Sequence, residues 1–166
     1  MQRPIADQHP LLALVVCLAL LVASSKCSLK MSWTGVPVTA QTLALALICY
    51  YATAQVAVAT TTTFLALAVS GVPVGAPKAR ATRGYVVGFV LASAVVPAML
   101  GQTAPALSRR VAAFCVGDAL VLALGSAYYW WHTGKGIAHS VLPFLPGDAL
   151  KIAAACVITG HFPRPS

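Results

Sequence analysis

The sequence predicts an all-α polytopic membrane protein, a bundle of six transmembrane helices, and three observations carry that expectation. Hydrophobic residues make up 59% of the chain and charged residues only 8%, where soluble domains carry roughly a quarter charged residues. The apolar residues fall into six blocks, at 11–23, 39–51, 52–69, 85–100, 111–131 and 145–159. A spanning helix needs about 20 apolar residues, so a chain of 166 residues holds five or six spans with short connections and no separate soluble domain. It reads as one integral membrane domain over residues 1–166, seated in the cell membrane and crossing it several times.

The first block follows Arg3 and ends at Ala23-Ser24-Ser25, a pattern shared with signal peptides. Its small-residue end is imperfect and the rest of the chain is already membranous, so it is taken as the first span. The second and third blocks have no polar break between them, and their turn is placed near Tyr50 to Gln55 from total length against bilayer thickness. Arg83-Gly84-Tyr85 opens the fourth block, Gly117-Asp118 sits early in the fifth, and Leu145-Pro146-Gly147-Asp148 opens the sixth. Small residues, Ala13, Ala19 and Ala23 and then Ala44, Ala46, Ala52 and Ala54, serve close helix packing or a docking face for another membrane subunit.

The connections Lys26 to Pro37, Gly71 to Gly84 and His132 to Pro146 share one face of a six-helix chain. They are the longest and are punctuated by glycine and proline, which suits a surface that covers a ligand. A net charge of +8 would suggest nucleic acid in a soluble protein. Here the basic residues are spread between apolar blocks and read as loop charges beside anionic headgroups, so no nucleic-acid partner is expected. Lys26, Lys30, Lys78, Arg80, Arg83 and Lys135 lie on the odd-loop face and Arg3, Arg109, Arg110 and Arg164 on the other. The positive-inside rule alone turns the odd loops to the cytoplasm, but cationic loops also attract anionic ligands, and orientation stays open on charge. Cys17, Cys27, Cys49, Cys115 and Cys156 stand singly, without the spacing of a zinc site or disulfide framework; no metal and no cofactor is expected.

The sharpest chemical signal is the run Leu142 to Lys151. Pro146 and Gly147 are expected to break the chain and Asp148 to cap the helix that follows. Asp148 and Lys151 are three apart and share a helix face. Ionisable groups at membrane depth cost roughly 2.5–3.5 kcal/mol and usually mark function. Either the two neutralise each other at the interface, or they form a polar clamp at the bundle mouth, Asp148 accepting from ligand N–H groups and Lys151 donating to a carbonyl or carboxylate. Thr39, Gln41 and Thr42 form a second polar cluster, open to helix capping, interhelical hydrogen bonds or ligand contact. Tyr85 is placed as an interface anchor or as a ring against a ligand. Asp118 has no partner within one helical turn and receives no role.

Four segments taken in order, Gly35 to Leu43, Gly71-Val72-Pro73-Val74, Arg83 to Phe89 and Val141 to Lys151, resemble the BioY family, the biotin-binding S components of energy-coupling-factor vitamin transporters. The resemblance covers most of the chain. It implies a six-helix bundle that binds biotin near the outer face and passes it to a module made of a transmembrane coupling subunit and two ATP-binding subunits. It also implies that the odd loops lie outside, against the charge count. By position it implies ligand contacts at Asp148, Lys151 and Tyr85, with Thr39 and Gln41 close to the pocket. Residues 75–83 are shorter and more cationic than the family's pattern, and Arg80 or Arg83 is proposed there as a partner for the biotin carboxylate. Trp33, Tyr128, Trp130 and Trp131 are candidates for apolar walls or interface anchors. The chain has no Gly-x-x-x-x-Gly-Lys-Ser/Thr loop, so it reads as the binding part only and not as an enzyme.

Two rival readings belong to other classes. Gly117-Asp118, Gly147-Asp148 and Pro105-Ala106-Leu107 echo an intramembrane aspartyl protease, whose two carboxylates share one proton. Lys151 beside Asp148 argues against that, as does the triplet preceding both acids. The other rival is a scaffold subunit without ligand. Whether the chain works alone, as a homo-oligomer or only with a coupling module is open at this level.

Overall fold

The computed structural model describes residues 9–29, 38–74, 82–101 and 103–164. Among these the elements are α1 (Pro10–Lys26), β1 (Ser28–Leu29), β2 (Val38–Thr39), α2 (Gln41–Tyr51), α3 (Ala54–Val69), α4 (Arg83–Leu100), α5 (Leu107–Thr133), the short α6 (Ile137–Ser140) and α7 (Leu145–His161). The two short strands pair antiparallel, Ser28 opposite Thr39 and Leu29 opposite Val38. Trp33, Lys30, Lys78 and Arg80 lie outside the described residues, as do Gly35 to Pro37 of the resemblance.

Local sequence explains the punctuation. Pro10 occupies the first turn of α1, where its missing N–H has no helical acceptor to lose. The α2–α3 turn falls at Ala52-Thr53, with Thr53 Oγ1 accepting from the Val56 N–H at 3.3 Å, an N-cap that restarts the helix after a continuous apolar run. Gly134 takes up a left-handed φ of 70° to end α5, its N–H donating to the Trp130 carbonyl at 2.8 Å, the conformation glycine adopts at least cost.

Apolar side chains point outward: Leu11, Leu12, Val15, Val16, Leu150 and Val157 are all exposed. Ser25, Thr60, Thr61, Ser93, Thr159 and Asp148 are buried. An apolar surface over an interior that holds polar residues is the arrangement expected where lipid is the solvent. The helices α4 and α5 are long and apolar enough to cross a membrane, while α1, α2 and α3 are shorter apolar helices. With 11 residues, α2 rises only about 16 Å.

The tightest packing is between α4 and α5, and glycine permits it. A Cβ on Gly88 would stand 2.7 Å from Val121 Cα, closer than real side chains approach.

Two ends of the bundle are tied differently. At one, Lys26 Nζ donates to the Pro73 carbonyl at 2.8 Å, Ser25 Oγ to the Val74 carbonyl at 2.7 Å and Tyr85 Oη to the Ser140 carbonyl at 2.6 Å. The end of α1 is thus tied to the segment after α3, and the start of α4 to α6. At the opposite end Arg164 donates to the carbonyls of Tyr50, Cys49 and Gly101 and lies over the Tyr50 ring, 4.5 Å from its centroid. Arg110 there reaches the Cys156 carbonyl and Thr159 Oγ1, both at 3.0 Å. Of the two, Arg164 satisfies carbonyls that helix ends leave open.

Candidate functional site

The site is organised by the way α7 begins. Phe144 precedes the helix without a side-chain cap, and Pro146 falls in its first turn, where proline is tolerated. The Asp148 N–H donates to the Phe144 carbonyl at 2.8 Å. Asp148 is thus already inside the helix, a correction to its expected capping role: the first turn absorbs the proline and glycine instead of breaking there.

One turn on, Lys151 Nζ stands 2.8 Å from Asp148 Oδ1. Thr42, in the first turn of α2, donates to the same oxygen at 3.1 Å. Asp148 Oδ2 is buried and has no hydrogen-bond partner among the described residues. Buried carboxylate oxygens are normally bonded, so this one is spare acceptor capacity, held in a favourable field at the helix N-terminus.

Beside it, Thr39 Oγ1 donates to Gln41 Oε1 at 3.1 Å and accepts from the Gln41 N–H at 3.4 Å. Ala40 holds the cap position of α2, so Thr39 serves the helix start from one residue further out. Gln41 is buried and its Nε2 has no acceptor among the described residues.

Asp148 and Lys151 line a slot between α2, α4, α5 and α7. Its polar members are Thr42, Asp118, Asp148 and Lys151, and its walls include Leu45, Ala92, Val96, Phe114, Val121 and Ile152. Its walls stand so close that about one or two waters have free room.

Other expected residues lie apart from this slot. Tyr85 packs on Phe144, ring centroids 5.7 Å apart, and its hydroxyl is committed to Ser140. Arg83 opens α4 half-buried. Trp130 and Trp131 are exposed and Tyr128 stacks on His132. The structure therefore unites Asp148 and Lys151, pairs Thr39 with Gln41, and leaves Tyr85 and Arg83 outside the slot lining.

Thr42 takes one of its expected roles, an interhelical hydrogen bond to Asp148, whereas Asp118 lines the slot with no role expected from sequence. A sequence signal did exist for Asp118, since Phe114, Gly117, Asp118 and Val121 are spaced three and four apart on one face of α5, and all four line the slot. Only packing shows that this face meets Asp148. Asp118 Oδ1 is likewise buried without a partner.

The same architecture occurs in a solved structure of the S-component for biotin from an ECF-type ABC transporter, with a TM-score of 0.81 and 16% sequence identity, covering 100% of this chain and 96% of that one. At that identity the likeness speaks for the fold. No curated protein sequence matches the chain significantly. The sequence signature of the BioY family matches residues 1–165, and on that evidence the chain belongs to the BioY family.

Proposed function

We propose that this protein captures biotin in the membrane as the S component of an energy-coupling-factor transporter and hands it to an ATP-driven coupling module. The observation that carries the reading is the ion pair of Asp148 and Lys151 at the polar end of an otherwise apolar slot, in a chain of the BioY family. Biotin's ureido ring carries two N–H donors and a carbonyl acceptor. Asp148 Oδ2 has an open acceptor site for an N–H, and Lys151 Nζ retains donors for the carbonyl. Leu45, Val96 and Phe114 suit the thioether ring and the methylene chain.

The slot is too narrow to admit biotin as it stands, so binding requires α2, α5 and α7 to part. Gln41 Nε2, buried without an acceptor, is a second donor available once α2 shifts, and Thr39 orients that amide. Tyr85 supports the site from behind, through Phe144 and Ser140. Arg83, at the start of α4 and outside the slot lining, remains our candidate partner for the biotin carboxylate on its charge alone. If biotin affinity is the same in Arg83→Ala, that last contact is wrong.

The bundle is proposed to lie in the plasma membrane with α1, α2, α3, α4, α5 and α7 all crossing. The extended residues Val38, Thr39, Ala52 and Thr53 add about 13 Å to α2, bringing it near the roughly 30 Å hydrocarbon thickness. The Asp148 end faces outward and the Arg164 end faces the cytoplasm. Partners are a transmembrane coupling subunit and two ATP-binding subunits, with a second copy of this chain as a further candidate.

The two acids of the protease reading, Asp118 and Asp148, do both line the slot. Lys151, however, holds Asp148 in an ion pair, and BioY is a family of transport components, not of enzymes.

The test is a titration of the full chain in nanodiscs with labelled biotin and no nucleotide. Saturable binding that Asp148→Asn weakens supports the reading. A silent titration of folded protein overturns it in favour of a scaffold subunit.

A further inference from the structure

Asp118 belongs to a different helix from Asp148, yet both line the slot, and each has one buried carboxylate oxygen without a hydrogen-bond partner among the described residues. Asp148 is only 3% exposed, so its open oxygen is shielded from water and its remaining outlet is the slot. Lys151 completes the group, bound to Asp148 on one side and close enough to Asp118 for their charges to interact. Thr42 already occupies the other face of Asp148 Oδ1. The group that is left presents two separate acceptors together with one ammonium on the lining of the same slot.

A cyclic urea has the complementary pattern: two N–H donors diverging from a ring, with a carbonyl oxygen between them. A single carboxylate can serve one of those N–H groups well, because the other points away across the ring. Building on the biotin reading above, we propose that Asp118 is the second urea contact, accepting the N–H that Asp148 does not reach, and that it makes the site select ligands with both N–H groups intact. A carboxyl group keeps an acceptor oxygen whether or not it is protonated, so the contact survives either state. An amide or ester ligand with one N–H, or with none, would leave a buried acid oxygen unsatisfied, and sites of that kind discriminate strongly.

This selection explains a placement that is otherwise hard to account for. Asp118 lies in a helix apolar enough to span the bilayer, where a carboxyl group is costly, and it has no ion-pair partner among the described residues.

The experiment measures biotin affinity of the full chain in nanodiscs for the native sequence, Asp118→Leu and Asp118→Asn, alongside two analogues methylated on one or the other ureido nitrogen. Asp118→Leu should weaken biotin about ten- to a hundredfold. Asp118→Asn, which keeps an acceptor oxygen, should recover part of that loss. Both methylated analogues should bind the native chain more weakly than biotin, and one of them should be indifferent to Asp118→Leu. Unchanged biotin affinity in Asp118→Leu overturns the role of Asp118 and leaves the biotin reading standing. Should a variant fail to fold, the analogues decide on the native chain alone, since an analogue that binds as well as biotin overturns the two-acid contact. If the native chain does not bind biotin at all, both readings fall together.

Discussion

Tyr85 Oη donates to the Ser140 carbonyl at 2.6 Å across 55 residues of sequence, and the Tyr85 ring lies directly against the bare backbone of Gly125. The ring occupies the space a Cβ on residue 125 would need. The hydrogen bond therefore depends on a hydrogen atom in place of a side chain on α5. Bond and ring together join α4, α5 and α6, the element just before α7, and so brace the wall behind Asp148.

Gly125→Ala should accordingly cost about 1–3 kcal/mol by overpacking and displace Tyr85 from Ser140. Tyr85→Phe keeps the ring and should cost about 1 kcal/mol, the worth of one hydrogen bond. Thermal unfolding in detergent should rank Gly125→Ala as the more harmful. Equal melting temperatures would mean the ring has room to move.

Removing either member of the ion pair should not be equivalent. Lys151 is 16% exposed and Asp148 4% by side chain, so a Lys151 left alone can swing its ammonium toward water, whereas an Asp148 left alone is a buried uncompensated acid. Lys151→Ala should therefore destabilise more than Asp148→Asn, by about 1–2 kcal/mol after allowing for partial solvation. Both should lower biotin affinity by at least about tenfold. Melting temperatures in the reverse order would refute the asymmetry.

Thr42→Val removes the hydroxyl that donates to Asp148 Oδ1 while keeping side-chain volume. Its stability cost should be about 1 kcal/mol. Because Lys151 still holds that oxygen, biotin affinity should fall only a few-fold. A loss as large as that of Asp148→Asn would show Thr42 to be a direct ligand contact.

Arg164 gathers carbonyls from the ends of α2 and α4, at the end of the bundle away from Asp148. Arg164→Ala should lower stability by about 1–3 kcal/mol, as carbonyls at two helix ends lose a charged donor. Biotin affinity should be unchanged. A loss of affinity would show that the two ends are coupled.

The proposed orientation has a direct reporter in Cys27, which is exposed where α1 ends. A membrane-impermeant maleimide added outside intact cells should label Cys27 in a chain whose other four cysteines are replaced by alanine. Labelling only after the membrane is opened would place that end in the cytoplasm, the orientation that the positive-inside rule favours.

Much of this protein is legible from composition and spacing. Apolar blocks with few charges demand helices, because lipid offers the backbone no hydrogen bonds, and the three-residue step from Asp148 to Lys151 puts the pair on one face in any α-helix. The capping role expected of Asp148 failed for a local reason: proline is at home in a helix's first turn, where its missing N–H costs nothing, so the helix starts before Asp148.

Which helix faces meet is beyond the sequence alone. Asp118 and Thr42 are 30 and 106 residues from Asp148, and no periodicity within one helix tells that both share its surroundings. That depends on how closely backbones approach, set by Gly88 against Val121 and Gly117 against Val96, and by which side chains fill the space between. Sequence determined the helices and their faces, since those follow from bonds within one segment. Tertiary structure alone decided the site, since a site is made of groups that neighbouring segments bring together.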